Sequence, residues 1–164
     1  YRNQNLNRPN ILQTILFEHY TVDTVQVFGR IEKTLTYLEL PLEKRSTYKE
    51  YLKIVMPGTT DSINVQSQHV RTYYCGQVED VRDNRIITKG TSTTTFPSGK
   101  FVQKTIDTNH PLVFSVIRKV NVKGIKTINY NNEKTVQIDF GYGTWYEALK
   151  TVNGVSEVID LRKR

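Results

Sequence analysis

The stretch KTVQIDFGYGTWYEALKTVNGVSEVID, residues 134–160, decides the fold class. In its first seven residues apolar and polar side chains alternate, so that Val136, Ile138 and Phe140 share one face of an extended chain. This period of two is typical of a strand that is buried on one face and solvated on the other. The sequence therefore predicts a β-sheet with a wet side.

Turn signals separate this strand from others of the same kind. Asn153-Gly154 predicts a type I′ hairpin, because both central residues of that turn need positive φ. The turn residues predicted on this basis and on similar grounds are Pro97, Gly99, Asn131, Asn132, Gly141, Gly143, Asn153 and Gly154. Strands that recur roughly every eight to twelve residues predict an all-β fold, an antiparallel meander or a β-sandwich-like arrangement.

The N-terminal part gives weaker signals. Residues 1–20 begin with a polar, asparagine-rich run and predict an arm, and residues 21–164 predict a single β domain whose subdivision near residues 81–85 is left open. Within that domain, TVDTVQVFG (21–29) and KTLTYLEL (33–40) each fit a strand.

Residues 46–56, STYKEYLKIVM, carry a different pattern. Tyr48, Tyr51, Leu52 and Val55 fall at helical spacing behind a serine that could serve as an N-cap. A short helix and a further strand are both compatible with this segment. The fold prediction accordingly includes at most one short helix, placed here.

Composition supports strands and narrows the class of protein. Apolar residues make up 37% and charged residues 24% of the 164, which excludes a disordered tail, and alanine is scarce. The formal charge of +7 permits attraction to nucleic acid, anionic lipid or an acidic protein without choosing among them. The densest basic cluster, Arg162 to Arg164, is typical of a solvated chain end. No apolar run reaches about 18 residues, the length of a membrane-spanning helix.

Metal-binding and disulfide chemistry find little support. Cys75 is the single cysteine, so it has no partner within the chain and is expected to be a small buried hydrophobic residue. His19, His69 and His110 lie far apart and lack partners at ligand spacing. We therefore predict no cofactor and no metal site.

Acid–base catalysis is equally unsupported. Asp139 and Asp160 would approach each other if their strands were neighbours, and paired carboxylates are the raw material of such chemistry. However, no histidine or nucleophile completes a catalytic group near them. We predict that the protein is not an enzyme.

Aromatic side chains offer better candidates for a binding site. They form three local groups, namely Tyr48 with Tyr51, Tyr73 with Tyr74, and Tyr142 with Trp145 and Tyr146. Such groups either anchor interfaces and stack on sugars or pack across strands. The third group surrounds a Gly-x-Gly turn that lacks the further glycine of a phosphate-binding loop. Tyr142, Trp145 and Tyr146 are therefore candidate interface residues; the alternative is that Trp145 folds back as a plug over the open end of the sheet.

The C-terminal half, residues 86–164, resembles the C-terminal region of small β-rich surface lipoproteins of Bacteroidota, most of which have no known function. The resemblance rests on the FPSGK turn, the VKGIKTI strand, the IDFG strand before a glycine turn, and the closing NGV hairpin with its IDLRK ending. It implies an exported chain that is attached to the outer membrane or cell surface through a lipidated N-terminal cysteine.

One loop departs from that family. Where the family carries Gly-Asp-Gly-Thr-Cys-Asp-Asn, this chain has GYGTWYE at residues 141–147. Aromatic residues replace the acidic residues and the cysteine, so whatever those residues do in the family does not transfer to this loop.

Three hypotheses of function follow. The first is a non-enzymatic surface domain that acts as an accessory or interaction subunit of an outer-membrane assembly and binds a protein partner. The second is a carbohydrate-binding module that uses the aromatic loop. The third is a small basic capsid-like or nucleic-acid-binding protein, which is disfavoured because the first ten residues carry only Arg2 and Arg8 rather than an arginine-rich arm.

Overall fold

The computed structural model describes residues 10–38, 43–74 and 84–162. These residues form eleven β-strands and no helix. The strands are β1 (Ile11–Val22), β2 (Val25–Leu38), β3 (Glu43–Val55), β4 (Ser62–Tyr74), β5 (Arg85–Thr95), β6 (Phe101–Ile106), β7 (Leu112–Ser115), β8 (Val120–Tyr130), β9 (Lys134–Phe140), β10 (Glu147–Val152) and β11 (Val155–Asp160).

All eleven strands belong to one antiparallel sheet, which confirms the all-β prediction and the meander. Neighbouring strands follow chain order from β1 to β11, except where β6 and β7 share one place between β5 and β8. Ile106 pairs with Gly90, and Leu112 pairs with Thr88, so β6 and β7 run along β5 in the same direction. They are one strand interrupted by a five-residue loop, residues 107–111.

That loop is fixed by its own aspartate. The Asp107 carboxylate accepts backbone N–H bonds from Asn109 and His110 at 2.6 and 2.9 Å. These bonds hold the pKa of Asp107 below its ordinary value, because they favour the charged form. Gly124 on β8 accommodates the loop, since an added Cβ would lie 2.2 Å from the carbonyl oxygen of Pro111.

The strand register divides the sheet into an apolar and a polar face. The five buried apolar side chains of the described ranges lie on the same face, here called the apolar face: Leu35, Ile106, Leu112, Val136 and Ala148. The opposite face, called the polar face, carries rows of hydroxyl and amide side chains. One such row crosses six strands as Thr91, Thr105, Thr127, Gln137, Thr151 and Ser156. The wet side predicted from residues 134–140 is thus present.

Burial on the apolar face is shallow. No large side chain among the described residues is fully buried, and most apolar-face residues retain part of their exposure. A second layer packed over the whole face would remove that exposure, because sheets that stack at about 10 Å interdigitate their inner side chains. The burial pattern is therefore that of a sheet whose apolar face is incompletely covered by the described residues.

The predicted turns join the strands as expected. Phe96 and Lys100 close the turn that contains Pro97 and Gly99, through a 2.8 Å bond from the Phe96 N–H to the Lys100 carbonyl. Asn131 and Asn132 join β8 to β9, both at positive φ (53° and 60°). Asn153 and Gly154 join β10 to β11 at φ of 47° and 89°. Gly141 and Gly143 lie in the turn between β9 and β10, also at positive φ.

The N-terminal boundaries differ from prediction. Strand β1 occupies residues 11–22, so the arm does not extend to residue 20, and residues 1–9 lie outside the described part. The predicted strand 21–29 is broken by a hairpin at Asp23-Thr24, where Asp23 has φ of 55°. The pattern hid β1 because its apolar residues lie on both faces, which removes the alternation.

The segment 46–56 is strand rather than helix. It belongs to β3, whose residues pair along their length with β2 and β4. Ladder hydrogen bonds on both sides outweigh the weak helical spacing, since a short isolated helix is only marginally stable. Ser46 is a buried strand residue and caps nothing.

Some predictions concern residues that lie outside the described part of the chain. These residues are Cys75, most of residues 81–85, Lys163 and Arg164. The sheet is nevertheless continuous across the 81–85 boundary, because Tyr74 at the end of β4 pairs with Arg85 at the start of β5.

The β10–β11 hairpin gives a direct test of the turn. Gly154→Val should lower the free energy of unfolding by about 1–3 kcal/mol, because a β-branched residue resists φ near 89° even though the space beside Gly154 is open. Chemical denaturation measures the loss. Gly154→Asn is the matched control and should lose less, since asparagine tolerates this conformation. Equal losses in the two variants would contradict the assignment to backbone strain.

Candidate functional site

The predicted interface loop lies at one end of the sheet, between β9 and β10. Because the strands alternate in direction, the turn between β7 and β8 (116–119) and the end of β11 lie at the same end. The loop, residues 141–146, is held from its base, where the Gly141 N–H donates to the Glu147 carbonyl at 3.1 Å. The Thr144 hydroxyl donates to the Glu147 carboxylate at 2.9 Å. These bonds give the loop a defined shape.

Trp145 and Tyr146 form the centre of an aromatic–arginine cluster, defined as Arg118, Trp145, Tyr146 and Arg162. The two rings meet edge to face, with centroids 5.3 Å apart and planes at 85°. The Arg118 guanidinium carbon lies 4.8 Å from the Trp145 ring centroid, and that of Arg162 lies 3.9 Å from the Tyr146 centroid. Both distances fall within the range of cation–π attraction.

Arg162 is oriented by the end of β11. It donates from Nη2 and Nε to the two carboxylate oxygens of Asp160, at 2.8 and 3.0 Å. These bonds raise the pKa of Arg162 above its ordinary value. The Leu161 N–H donates to the Tyr146 carbonyl at 2.8 Å, which ties this segment to the loop. Tyr146 is therefore braced both through its ring and through its backbone.

The predicted loop residues differ in exposure. Tyr142 is 47% exposed and Trp145 39% exposed, whereas Tyr146 is half-buried. Trp145 is thus neither fully exposed nor buried over the end of the sheet, because Arg118 and Tyr146 cover part of its ring. Sequence analysis missed Arg118, which is distant along the chain and carries no local signal.

The other tyrosine pairs do not form clusters. In a strand, residues three apart or adjacent project to opposite faces, and this separates Tyr48 from Tyr51 and Tyr73 from Tyr74. Tyr48 instead lies between two cations of the apolar face. Its ring centroid is 5.6 Å from Lys33 Nζ and 5.4 Å from Arg71 Cζ.

The two aspartates considered for acid–base chemistry are not brought together. Asp139 on β9 pairs with Leu149, and Asp160 on β11 pairs with Glu147, so that β10 lies between them. Asp160 is occupied by its ion pair with Arg162 at 2.8 Å.

Two polar side chains, His69 and Lys126, lie in one row in the middle of the apolar face. His69, Gly90, Ile106, Lys126 and Ile138 follow one another across five strands in a single row. Burial, and secondarily the positive charge of Lys104, lowers the pKa of Lys126. The alternation of residues in β8 predicts this placement, since it assigns Lys126 to the apolar face.

His69 is the most constrained side chain of this row. Its Nδ1 atom is buried and has no hydrogen-bond partner, and it lies over Gly90, where an added Cβ would approach it to 2.9 Å. Burial lowers the pKa of His69, and the positive charges of Arg71 and Lys126 lower it further, while Glu50 acts in the opposite direction. Glu50 is itself engaged by a hydrogen bond from the Ser67 hydroxyl.

A groove of about 380 Å³ lies at the opposite end of the sheet from the aromatic loop. It is formed between the β1–β2 and β3–β4 turns and is lined by Thr24, Gln26, Val55, Met56, Pro57, Gly58, Thr59 and Thr60. None of these side chains titrates near neutral pH or acts as a strong nucleophile.

Two further observations limit the chemistry of the described residues. No three His, Cys, Asp or Glu side chains gather there in a way that could hold a metal ion. None of the described residues forms a helix of the length and apolarity needed to cross a membrane.

Comparison with models of protein families, with curated proteins and with solved structures found no match to this chain. The function proposed below therefore rests on the geometry of the chain and on the resemblance described for residues 86–164.

The Lys126 charge should cost stability. Lys126→Met removes a charge that is partly desolvated and repelled by Lys104, and should raise the free energy of unfolding by a few tenths of a kcal/mol to about 1 kcal/mol after solvent screening. Urea denaturation at neutral pH measures the gain. Lys104→Met is the control: Lys104 is exposed and should give a smaller gain. A destabilised Lys126→Met variant would mean that the ammonium group has a favourable partner.

His69 should make stability dependent on pH. Its folded pKa lies below the ordinary 6.5, so its contribution is fully present above about pH 6.5 and is lost as the pH falls through the folded value. The difference in unfolding free energy between wild type and His69→Gln should therefore shift against the wild type on acidification from pH 7.5 to 5. A difference that stays constant over this interval would show that His69 titrates normally.

Proposed function

We propose that this protein is a non-enzymatic interaction domain that binds a protein partner through the aromatic–arginine cluster and the adjacent Tyr142. The observation that carries the proposal is that Trp145 is braced in a fixed position and still leaves 39% of its surface open. Trp, Tyr and Arg dominate the binding energy of protein interfaces, and they are the residue types gathered here.

Preorganisation supports the same function. Association loses free energy for each flexible side chain that it immobilises. In this loop the side chains already have partners before binding, because Arg118 lies over Trp145, Arg162 lies over Tyr146, and Asp160 accepts hydrogen bonds from Arg162. An aromatic surface arranged in this way is suited to fill a pocket on another protein.

The charges favour an acidic partner. Arg118 contacts the Trp145 ring and has no carboxylate within ion-pair distance among the described residues, so its guanidinium remains open to a carboxylate. The net charge of +7 acts in the same direction over longer range. Arg118 occupies one face of Trp145, which leaves at most the second face for stacking on a sugar. The open guanidinium and the net positive charge make an acidic protein the ligand that we propose.

The proposal also includes the place where this interaction occurs, the outer membrane. The resemblance of residues 86–164 to surface lipoproteins suggests that the partner belongs to an outer-membrane assembly and that the chain acts as its accessory subunit. A pull-down from native membranes, with mass spectrometry of the retained proteins, addresses this suggestion.

The test compares two exposed aromatic residues at opposite ends of the sheet. Trp145→Ala should weaken binding of the retained partner by about 2 kcal/mol or more, roughly 30-fold. The matched control is Tyr130→Ala, because Tyr130 is also exposed and also lies beside a cation, Lys134 at 5.9 Å. Tyr130→Ala should bind as the wild type does.

Stability measurements separate this function from the alternative of a packed plug. Since Trp145 is partly open, Trp145→Ala should lower the unfolding free energy by less than about 2 kcal/mol, whereas truncation of a buried Trp costs about 3–5 kcal/mol. The proposal fails if Trp145→Ala unfolds the domain, or if it retains the same partner with unchanged affinity. Binding of a glycan rather than a protein, lost in Trp145→Ala, would favour the carbohydrate-binding alternative.

A further inference from the structure

Strand β1 is the edge of the described sheet. It pairs with β2 on one side, and no described residue pairs with its other side. Its large apolar side chains are open to solvent: Leu12 is 68% exposed, Leu16 63% and Ile15 55%. A row of free backbone N–H and C=O groups thus lies beside apolar side chains, which is the arrangement that another strand can extend.

The edge lacks the usual protection against strand addition. Natural edge strands carry lysine, proline or inward charges, or they are short. The chain has 23 Lys and Arg residues, but none of them, and no proline, lies in the 12 residues of β1. The register shift between Phe17 and Tyr20 disturbs only the last part, where Glu18 and His19 lie. Residues 11–17 are left as a regular, uncharged edge.

The opposite edge of the sheet is different. Strand β11 has six residues, and two of them, Glu157 and Asp160, are acidic. Short length and charge both discourage strand addition. The two edges therefore do not form an equivalent pair, and β1 is the edge suited to association.

We propose that two copies of this chain pair antiparallel through their β1 strands, with the two-fold axis at Thr14. This register places Leu12 opposite Leu16 of the second copy on the polar face. On the apolar face it places Ile11 opposite Phe17 of the second copy, and Gln13 opposite Ile15. No charged residue meets a like charge, and apolar side chains meet each other across the seam on both faces.

Two features of the molecule favour a second copy of this chain as the partner of β1. A net charge of +7 opposes self-association, and the uncharged residues 11–17 provide a seam where no like charges meet. The pairing also continues the antiparallel β1–β2 ladder without a change in geometry. Because the contact uses the same strand in both copies, it closes at a dimer and leaves no β1 edge open.

The interface is small. Seven paired residues in each copy lie at the low end of specific interfaces, so we expect a dissociation constant of about 1 µM or weaker. Association should therefore depend on concentration, and sedimentation velocity of the full chain between about 1 and 200 µM should show a monomer–dimer equilibrium.

Charge substitution at the axis gives a specific test. In the proposed register the two Thr14 side chains face each other directly, so that Thr14→Lys and Thr14→Glu each place like charges together and should each weaken dimerisation by about tenfold or more. An equimolar mixture of the two variants should form a heterodimer at least as tight as the wild-type dimer. This rescue cannot come from misfolding. Thr14 is exposed, and circular dichroism checks that both variants keep the β spectrum.

Ser156→Lys is the matched control. Ser156 lies on β11, in the same cross-strand row as Thr14 but at the opposite edge, and its substitution should leave the dimer unchanged. A chain that stays monomeric at 200 µM overturns the proposal. So do assemblies larger than a dimer, a dimer that Ser156→Lys disrupts, or a Thr14→Lys and Thr14→Glu mixture that does not associate.

Discussion

The fold depends on main-chain pairing between consecutive strands. A domain of this length can bury a continuous core, but here the apolar face is only shallowly covered, and no large described side chain is fully buried. Cohesion must therefore come mainly from ladder hydrogen bonds and cross-strand side-chain pairs, each of which contributes roughly 0.2–1 kcal/mol. Since every interior strand has two neighbours, the sum is distributed along the whole sheet rather than concentrated in one place.

Distributed cohesion explains where special residues occur. Glycine is required where one strand approaches another too closely for a side chain, as at Gly29, where an added Cβ would meet the Tyr51 carbonyl oxygen at 1.9 Å. Charged residues such as Lys126 are tolerated on the apolar face because the cover is incomplete and solvent still screens them. A closed core would exclude such a charge unless it were paired.

The sequence predicted the C-terminal half of the fold well. In residues 134–160, alternation predicts the strands, and residues that accept positive φ predict the turns. Both patterns lie within a few neighbouring residues. The aromatic loop was also placed correctly by its glycines. Its arginine partners could not be, because Arg118 reaches Trp145 only through the side-by-side placement of the β7–β8 and β9–β10 turns.

The N-terminal half resisted prediction for a physical reason. Alternation records burial of one face, and β1 is buried on neither, so that its apolar residues follow no period of two. In residues 46–56 the spacing of four side chains imitated a helix, although pairing on both sides makes them a strand. Both errors concern strands whose identity is set by their neighbours and not by their own pattern.

The incomplete cover of the sheet also affects how a candidate interface can be recognised. In a protein with a closed core, large apolar side chains have an internal place, and their exposure is informative by contrast. In this open sheet the faces already leave much apolar surface partly exposed, so exposure alone identifies little. The Trp145 loop differs because a side-chain hydrogen bond shapes it and two guanidinium groups lie over its aromatic rings. In the interaction that we propose, this order at the end of the sheet is what separates the loop from apolar surface that is only incompletely covered.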